Sequence, residues 1–263
     1  MRHRSPRQGK RVRSFLNDWL GRVYPGDCLR FIACLPDNSI DLVLCDPPYG
    51  LDRGNDDPAR KPARTVRGRK GLAPRRIAGD SYMEWSANLP LWMTSFMRIL
   101  KPGACCCCCC GGGGPHPVFA EMALVMDETI GFKQAVVWDK VHMGLGWHYR
   151  RTYDIVMIGQ KRGAPSKWYG DRRERNLIRI PRVIPRSDQH PTPKPAELMQ
   201  HFIRLHSRPG HVVFDPFLGG GTTAVVAEAM GRRWLGCEID PRFVAMAEER
   251  ISRARALRLD AER

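Results

Sequence analysis

The chain has 263 residues, 43 Lys and Arg against 27 Asp and Glu, a formal net charge of +16 and 43% apolar side chains. That length suits one large α/β domain with insertions, and the apolar content is ample for a buried core. No apolar run nears the roughly 18 residues that cross a bilayer, and the basic N-terminus leads into no apolar stretch, so neither a membrane span nor a secretory signal is expected.

Residues 1–23 read as a basic tail, with six Lys or Arg and no acid in residues 1–13, and residues 24–263 as the domain proper. Gly26-Asp27-Cys28-Leu29 opens that domain. The first strong strand signal is the apolar run Ile40-Asp41-Leu42-Val43-Leu44-Cys45, which ends on Asp46-Pro47-Pro48-Tyr49. In an open α/β sheet, ligands bind outside the carboxyl ends of the strands, so these four residues fall where chemistry is expected. A carboxylate and two carbonyls held by φ-locked rings make a fixed set of acceptors, and the Tyr49 ring can stack on a planar group. That set suits an exocyclic amino group on a flat heterocycle, a nucleobase. A Pro-Pro turn closing a strand is the plainer reading of the same four residues.

Asp52 to Ala78 is rich in Gly, Pro and basic residues and reads as a long loop, 52–78, after the motif. A helix is predicted from Tyr82 to Leu100, stopped by Lys101-Pro102-Gly103. The strand expected next is written in thiols, Cys105 to Cys110, followed by Gly111 to Gly114. Six adjacent strand residues alternate faces and cannot converge on one tetrahedral metal, so they read as small hydrophobes in a poorly packed strand, and no metal site is expected. The isolated Cys28, Cys34, Cys45 and Cys237 read as core residues of a reducing compartment. Residues 159–190 carry Trp168, Tyr169 and a run of Arg, and form the candidate target-recognition insertion. Base stacking and a small satellite core are equally compatible with the two aromatics.

Near the other end, His211-Val212-Val213-Phe214 reads as a buried strand entering Asp215-Pro216-Phe217-Leu218-Gly219-Gly220-Gly221-Thr222-Thr223. A helix over Thr222 to Met230 with Gly231 as its C-cap and a strand Arg233 to Cys237 ending on Glu238 complete a βαβ half. Its glycines let backbone approach a ligand, and Glu238 stands where nucleotide-binding folds place a ribose-binding acid. Gly219, Gly221 and Ala224 also satisfy a dinucleotide fingerprint, yet Asp215 just ahead of the loop would repel a pyrophosphate and welcome a cationic group.

Taken with His190-Pro191-Thr192-Pro193-Lys194-Pro195, Val137-Trp138-Asp139-Lys140 and Gly144 to Arg151, these motifs resemble the amino-group DNA methyltransferases that use S-adenosyl-L-methionine. The catalytic strand precedes the cofactor strand, as in the circularly permuted β class of N6-adenine and N4-cytosine enzymes. The resemblance implies a Rossmann-like, doubly wound, mostly parallel α/β sheet with inserted basic loops. It assigns Asp46, Pro47, Pro48 and Tyr49 to catalysis, and Asp215, Phe217, Gly219, Gly221, Thr222 and Glu238 to the cofactor. Asp27, Thr192, Lys194 and Pro195 complete that pocket. It also implies double-stranded DNA as partner, a bacterial or phage-infected cytoplasm as location, and leaves room for a homodimer and for a restriction endonuclease partner. A leading Asp in the catalytic motif is more frequent in the adenine enzymes of the family.

Three segments, 1–13, 53–76 and 161–186, hold 24 of the 43 Lys and Arg and four of the 27 acids, so the remainder carries 19 bases against 23 acids. Basicity confined to insertions favours nucleic acid, with Arg64, Arg67, Arg69 and Lys70 in the first loop and Arg172, Arg173 and Arg175 in the second as candidate DNA contacts. A nicotinamide-dependent oxidoreductase would leave Asp-Pro-Pro-Tyr and these insertions unexplained, and an inactive DNA-binding relative would keep the insertions alone.

Overall fold

The computed structural model describes residues 16–50, 81–111, 116–144, 148–184 and 193–261. The loop residues Arg64, Arg67, Arg69 and Lys70, the basic tail up to residue 15, and Thr192 lie outside the described residues. The elements in chain order are β1 (Val23–Pro25), α1 (Cys28–Cys34), β2 (Ile40–Cys45), α2 (Tyr82–Ile99), β3 (Leu100–Cys110), α3 (Val118–Thr129), β4 (Phe132–Asp139), β5 (Tyr153–Gln160), β6 (Leu177–Arg179), α4 (Ala196–His206), β7 (Val212–Asp215), α5 (Thr222–Ala229), β8 (Arg233–Glu238) and α6 (Pro241–Ala261).

The strands form one eight-stranded sheet ordered β1-β8-β7-β2-β3-β5-β4-β6. Every neighbouring pair is parallel except those made by β5, which runs against both β3 and β4. From β2 the chain moves outward through β3 to β6, whereas from β7 it moves the other way, through β8 towards β1. The order therefore reverses between β2 and β7, which puts the ligand crevice of a doubly wound sheet at their carboxyl ends. The ends of these two adjacent strands carry Asp46 and Asp215.

Alternation of side chains along the central strands feeds two hydrophobic layers. Ile40, Val43 and Cys45 of β2 and Cys106, Cys108 and Cys110 of β3 face one layer, with Phe31, Trp85, Met93 and Phe96 from α1 and α2. Leu42, Leu44, Cys105, Cys107 and Cys109 face the other, with Leu198, Phe202, Ala224 and Ala247 from α4, α5 and α6. A strand buried on both faces reads as a continuous apolar run, and the six cysteines fill that role. All six are at most 3% exposed, and Cys108 Sγ lies 3.3 Å from the Sγ atoms of both Cys45 and Cys106. A thiol is small and polarisable, so it serves as a small hydrophobe between β2 and β5.

Of the segment 159–190, residues 159–184 are described. Residues 159–160 finish β5, and the chain then crosses the amino ends of the parallel strands, where Lys167 N–H donates to the Gly103 carbonyl at 2.9 Å. Trp168 meets His206 edge-on at 5.3 Å, the Arg208 guanidinium lies 4.6 Å from the Tyr169 ring centroid, and Tyr169 N–H donates to the Leu205 carbonyl at 2.9 Å. Both aromatics thus stand at the amino end of the sheet against α4 and the residues that follow it, with Trp168 36% exposed. The chain then climbs the outer edge of β4 through Arg172, Arg173 and Arg175, adds β6 beside Val137 to Asp139, and emerges at the carboxyl end near Ile180 to Ile184.

Candidate active site

At the end of β2 the backbone leaves the sheet through Pro47 and Pro48, and the chain returns Tyr49 onto Asp46. The Tyr49 hydroxyl donates to Asp46 Oδ1, and the Lys194 ammonium donates to Asp46 Oδ2. Lys194 is 11% exposed and Asp46 25%, so the pair is sunk into the protein but keeps an opening on the carboxylate. The ammonium also lies 5.3 Å from the centroid of the Tyr49 ring, within cation–π range. Burial would push the Lys194 ammonium down, but Asp46 and the neighbouring Asp154 outweigh it and hold it above the usual lysine range. Burial, then Asp46, pushes the Tyr49 phenol well up, so this hydroxyl keeps its proton and remains a donor.

The end of β3 shapes the same wall. A Cβ on Gly111 would lie 2.9 Å from Tyr49 Cδ2, so the ring rests directly on glycine backbone. Only the abrupt change from cysteine to glycine in the sequence marked this position, without a role.

Asp215 is 4% exposed and accepts the Phe217 N–H at 3.0 Å. Burial raises its pKa to about 7, against the hydrogen bonds from Thr223 and Phe217, and Asp46 and Glu238 add to the rise. The loop then turns through Gly219 and Gly221, whose φ angles of +52° and +78° favour glycine. A Cβ on Gly221 would meet Ala247 Cβ at 3.1 Å, so α6 packs directly behind the loop. Glu238 Oε2 accepts the Gly219 N–H and Oε1 the Asp240 N–H, each at 2.8 Å. Burial raises the Glu238 carboxyl against these hydrogen bonds. Gly26 N–H donates to the Glu238 carbonyl at 2.9 Å, which ties β1 to the same edge, and Asp27 caps α1 through Arg30 N–H at 3.0 Å.

Not every residue assigned by resemblance points its chemistry at the crevice. The Thr222 hydroxyl accepts from Arg250 Nη1 at 2.8 Å and is engaged by α6. Phe217 presents its edge to Trp92 at 5.0 Å and lines the loop. Pro195 is the N-cap of α4, which delivers Lys194 to Asp46. Sequence reasoning passed over Arg179 and Arg182, which stand at the carboxyl end of the sheet, while the candidates Arg172, Arg173 and Arg175 lie lower on the β4 edge. Arg175 belongs to the wall of a small cavity beside Gln134 and His201.

This pocket pairs a buried acid of raised pKa with a glycine turn and a second acid whose oxygens still have free lone pairs. It fits a ligand that carries a positive charge and a sugar hydroxyl, and Asp215 stands against a pyrophosphate. Beside it is an amine-accepting carboxylate. A doubly wound sheet with this pair of sites defines the S-adenosyl-L-methionine-dependent methyltransferases.

Residues 40–249 match the N6 and N4 methylase family described as DNA methylase, and the chain belongs to that family. It is 24% identical to the type II methyltransferase M.HinfI of Haemophilus influenzae over 90% of this chain and 69% of the relative. It is 25% identical to the type II methyltransferase M.BglII of Bacillus subtilis over 91% and 71%. Among solved structures, the DNA modification methylase TTHA0409 of Thermus thermophilus in complex with S-adenosyl-L-methionine superposes with a TM-score of 0.63 at 25% identity, covering 89% of this chain and 93% of that one. The cytosine-N4-specific PvuII DNA methyltransferase shares the fold, with a TM-score of 0.65 at 21% identity over 88% and 90%. The chain is thus an amino-group DNA methyltransferase with S-adenosyl-L-methionine as cofactor and DNA as substrate. Among the described residues no helix is long and apolar enough to cross a membrane, and no cluster of three or more His, Cys, Asp or Glu is placed to hold a metal ion.

Proposed function

We propose that the enzyme methylates the exocyclic N6 of adenine in a base flipped out of duplex DNA. The observation that carries this reading is the half-open Asp46 carboxylate, oriented by Tyr49 and Lys194, at the end of the strand adjacent to Asp215. The target nitrogen lies inside the duplex, so the base must leave the stack, which costs a few kcal/mol.

The amine lone pair is conjugated into the ring and is a poor nucleophile. Asp46 and the Pro47 carbonyl would accept its N–H bonds, hold the nitrogen nearer to tetrahedral geometry and stabilise the positive charge that develops on it. When bound, the cofactor supplies an electrophilic methyl group on a sulfonium. Asp215 gives that cation a buried counter-charge, Glu238 offers acceptors to a ribose, and the glycine turn at 219–221 lets both lie close to backbone. Asp46 is then the nearest acceptor for the proton the alkylated amine must shed. Much of the remaining acceleration comes from alignment of the two substrates.

The choice of adenine rests on the leading Asp of the motif, which the family uses more often for that base. Duplex DNA would approach the carboxyl end of the sheet, where Arg179 and Arg182 stand at the edge strand β6, and not the amino end occupied by Trp168 and Tyr169. Digesting DNA methylated in vitro to nucleosides and separating them by mass spectrometry tests the assignment. N6-methyladenine is expected, N4-methylcytosine alone would overturn the base, and 5-methylcytosine would overturn the mechanism.

A further inference from the structure

The resemblance places Lys194 in the cofactor pocket, yet its ammonium is bonded to the catalytic carboxylate. We propose that Lys194 is a positioning residue for Asp46: it fixes the carboxylate from the Oδ2 side while Tyr49 fixes Oδ1, so that the free lone pairs meet the target amine. The inference rests on the amino-methyltransferase reading of the site.

An ionised carboxylate offers about four lone-pair sites in its plane. The Tyr49 hydroxyl and the Lys194 ammonium take one on each oxygen, and two remain. A carboxylate on a single two-bond stem rotates freely when held at one oxygen. Held at both, its plane is set. Lys194 is suited to the task because it is itself immobilised: its stem is buried, its head lies over the Tyr49 ring, and Pro195 behind it starts α4. Asp154, whose charge also acts on Lys194, is itself paired with Lys140 at 2.8 Å, which leaves Lys194 to Asp46. A misplacement of 1 Å in an alignment-dependent reaction costs about a hundredfold.

The test is steady-state kinetics on Lys194→Ala and Lys194→Arg, with active sites counted by calorimetric titration with S-adenosylhomocysteine. Lys194→Ala is expected to lower kcat per active site by about a hundredfold, with KM for DNA and affinity for S-adenosylhomocysteine within about threefold of wild type. Ethylammonium chloride should restore part of the lost rate, and sodium chloride at equal ionic strength should not, because only the amine refills the vacated position. Lys194→Arg, which keeps the charge and can bond the same oxygen, should retain more activity than Lys194→Ala. A purely structural lysine would lower the number of active sites without amine rescue, and that result overturns the proposal. So does a Lys194→Ala enzyme with unchanged kcat and an affinity for S-adenosylhomocysteine weakened tenfold or more, which would return Lys194 to the cofactor. If wild type transfers methyl groups only to a ring carbon, the functional reading fails first and is seen to fail in wild type, independently of the variants.

Discussion

The two ends of β2 carry the same residue type with the same kind of partner and do different work. At the amino end, Asp41 is 3% exposed: Lys101 Nζ at 2.7 Å and the Val212 N–H at 3.0 Å both donate to Oδ2, and Lys167 and His211 stand 3.7 and 3.9 Å from Oδ1. At the carboxyl end, Asp46 has one donor on each oxygen and remains a quarter exposed. A buried carboxylate ringed by Lys101, Lys167 and the Val212 N–H is a clasp that ties β2 to β3, β7 and the crossing segment. One with open lone pairs at a switch point is a binding group. The difference lies in exposure, 3% against 25%, and it separates stability from function along a single strand.

The glycines at the two ends sharpen that contrast most strongly. Gly221→Arg should abolish saturable binding of S-adenosylhomocysteine and with it all methyl transfer, since φ is +78° and the space behind is filled by Ala247. Gly103 also has a positive φ, +79°, but a Cβ there would lie 2.2 Å from the Pro165 carbonyl oxygen at the opposite end. Gly103→Ala should cost about 2 kcal/mol of stability or more, while the folded fraction keeps its kcat. Calorimetry and thermal unfolding distinguish the two.

Asp215 gives a pH-dependent version of the same contrast. A carboxyl raised from 3.8 to about 7 on folding keeps a proton that the unfolded chain has already lost, so its burial costs stability progressively as pH climbs through that window. Asp215→Asn should therefore unfold at a higher temperature than wild type at pH 8, and the gain should vanish below about pH 4. The same variant should bind S-adenosyl-L-methionine more weakly. In wild type, affinity for the cationic cofactor should strengthen by up to about tenfold from pH 6 to pH 8, and affinity for neutral-sulfur S-adenosylhomocysteine should change less.

The smallest effect concerns DNA. Replacing Arg179 and Arg182 by Gln should reduce the slope of log K against log salt by about 0.9 for each phosphate contact removed. The equivalent change at Arg172 and Arg173, lower on the β4 edge, should leave it unaltered.

Much of this was legible in the chain. Ile40 to Cys45 emerges as β2 with the expected bounds, and Asp215, Gly219, Gly221 and Glu238 meet at one strand edge because strand-end motifs are local signals. The pairing of β2 with β7 follows from the resemblance to a permuted sheet. The partner of Lys194 was not legible, since an ion pair between residues far apart in sequence depends on the angle at which α4 enters. Nor was the course of residues 159–184, three of which join the sheet as β6. The cysteine tract forms the strand its place after the helix predicts, and its neighbours on both sides bury it.

Asp46→Asn and Asp41→Asn, made and measured side by side, test the central claim most directly. With folding confirmed, Asp46→Asn should lose methyl transfer by at least about a thousandfold while its affinity for S-adenosylhomocysteine stays within about threefold of wild type. Asp41→Asn should keep kcat and lose about 2–4 kcal/mol of stability. Retained transfer in a folded Asp46→Asn enzyme, or loss of its cofactor binding, would contradict the account.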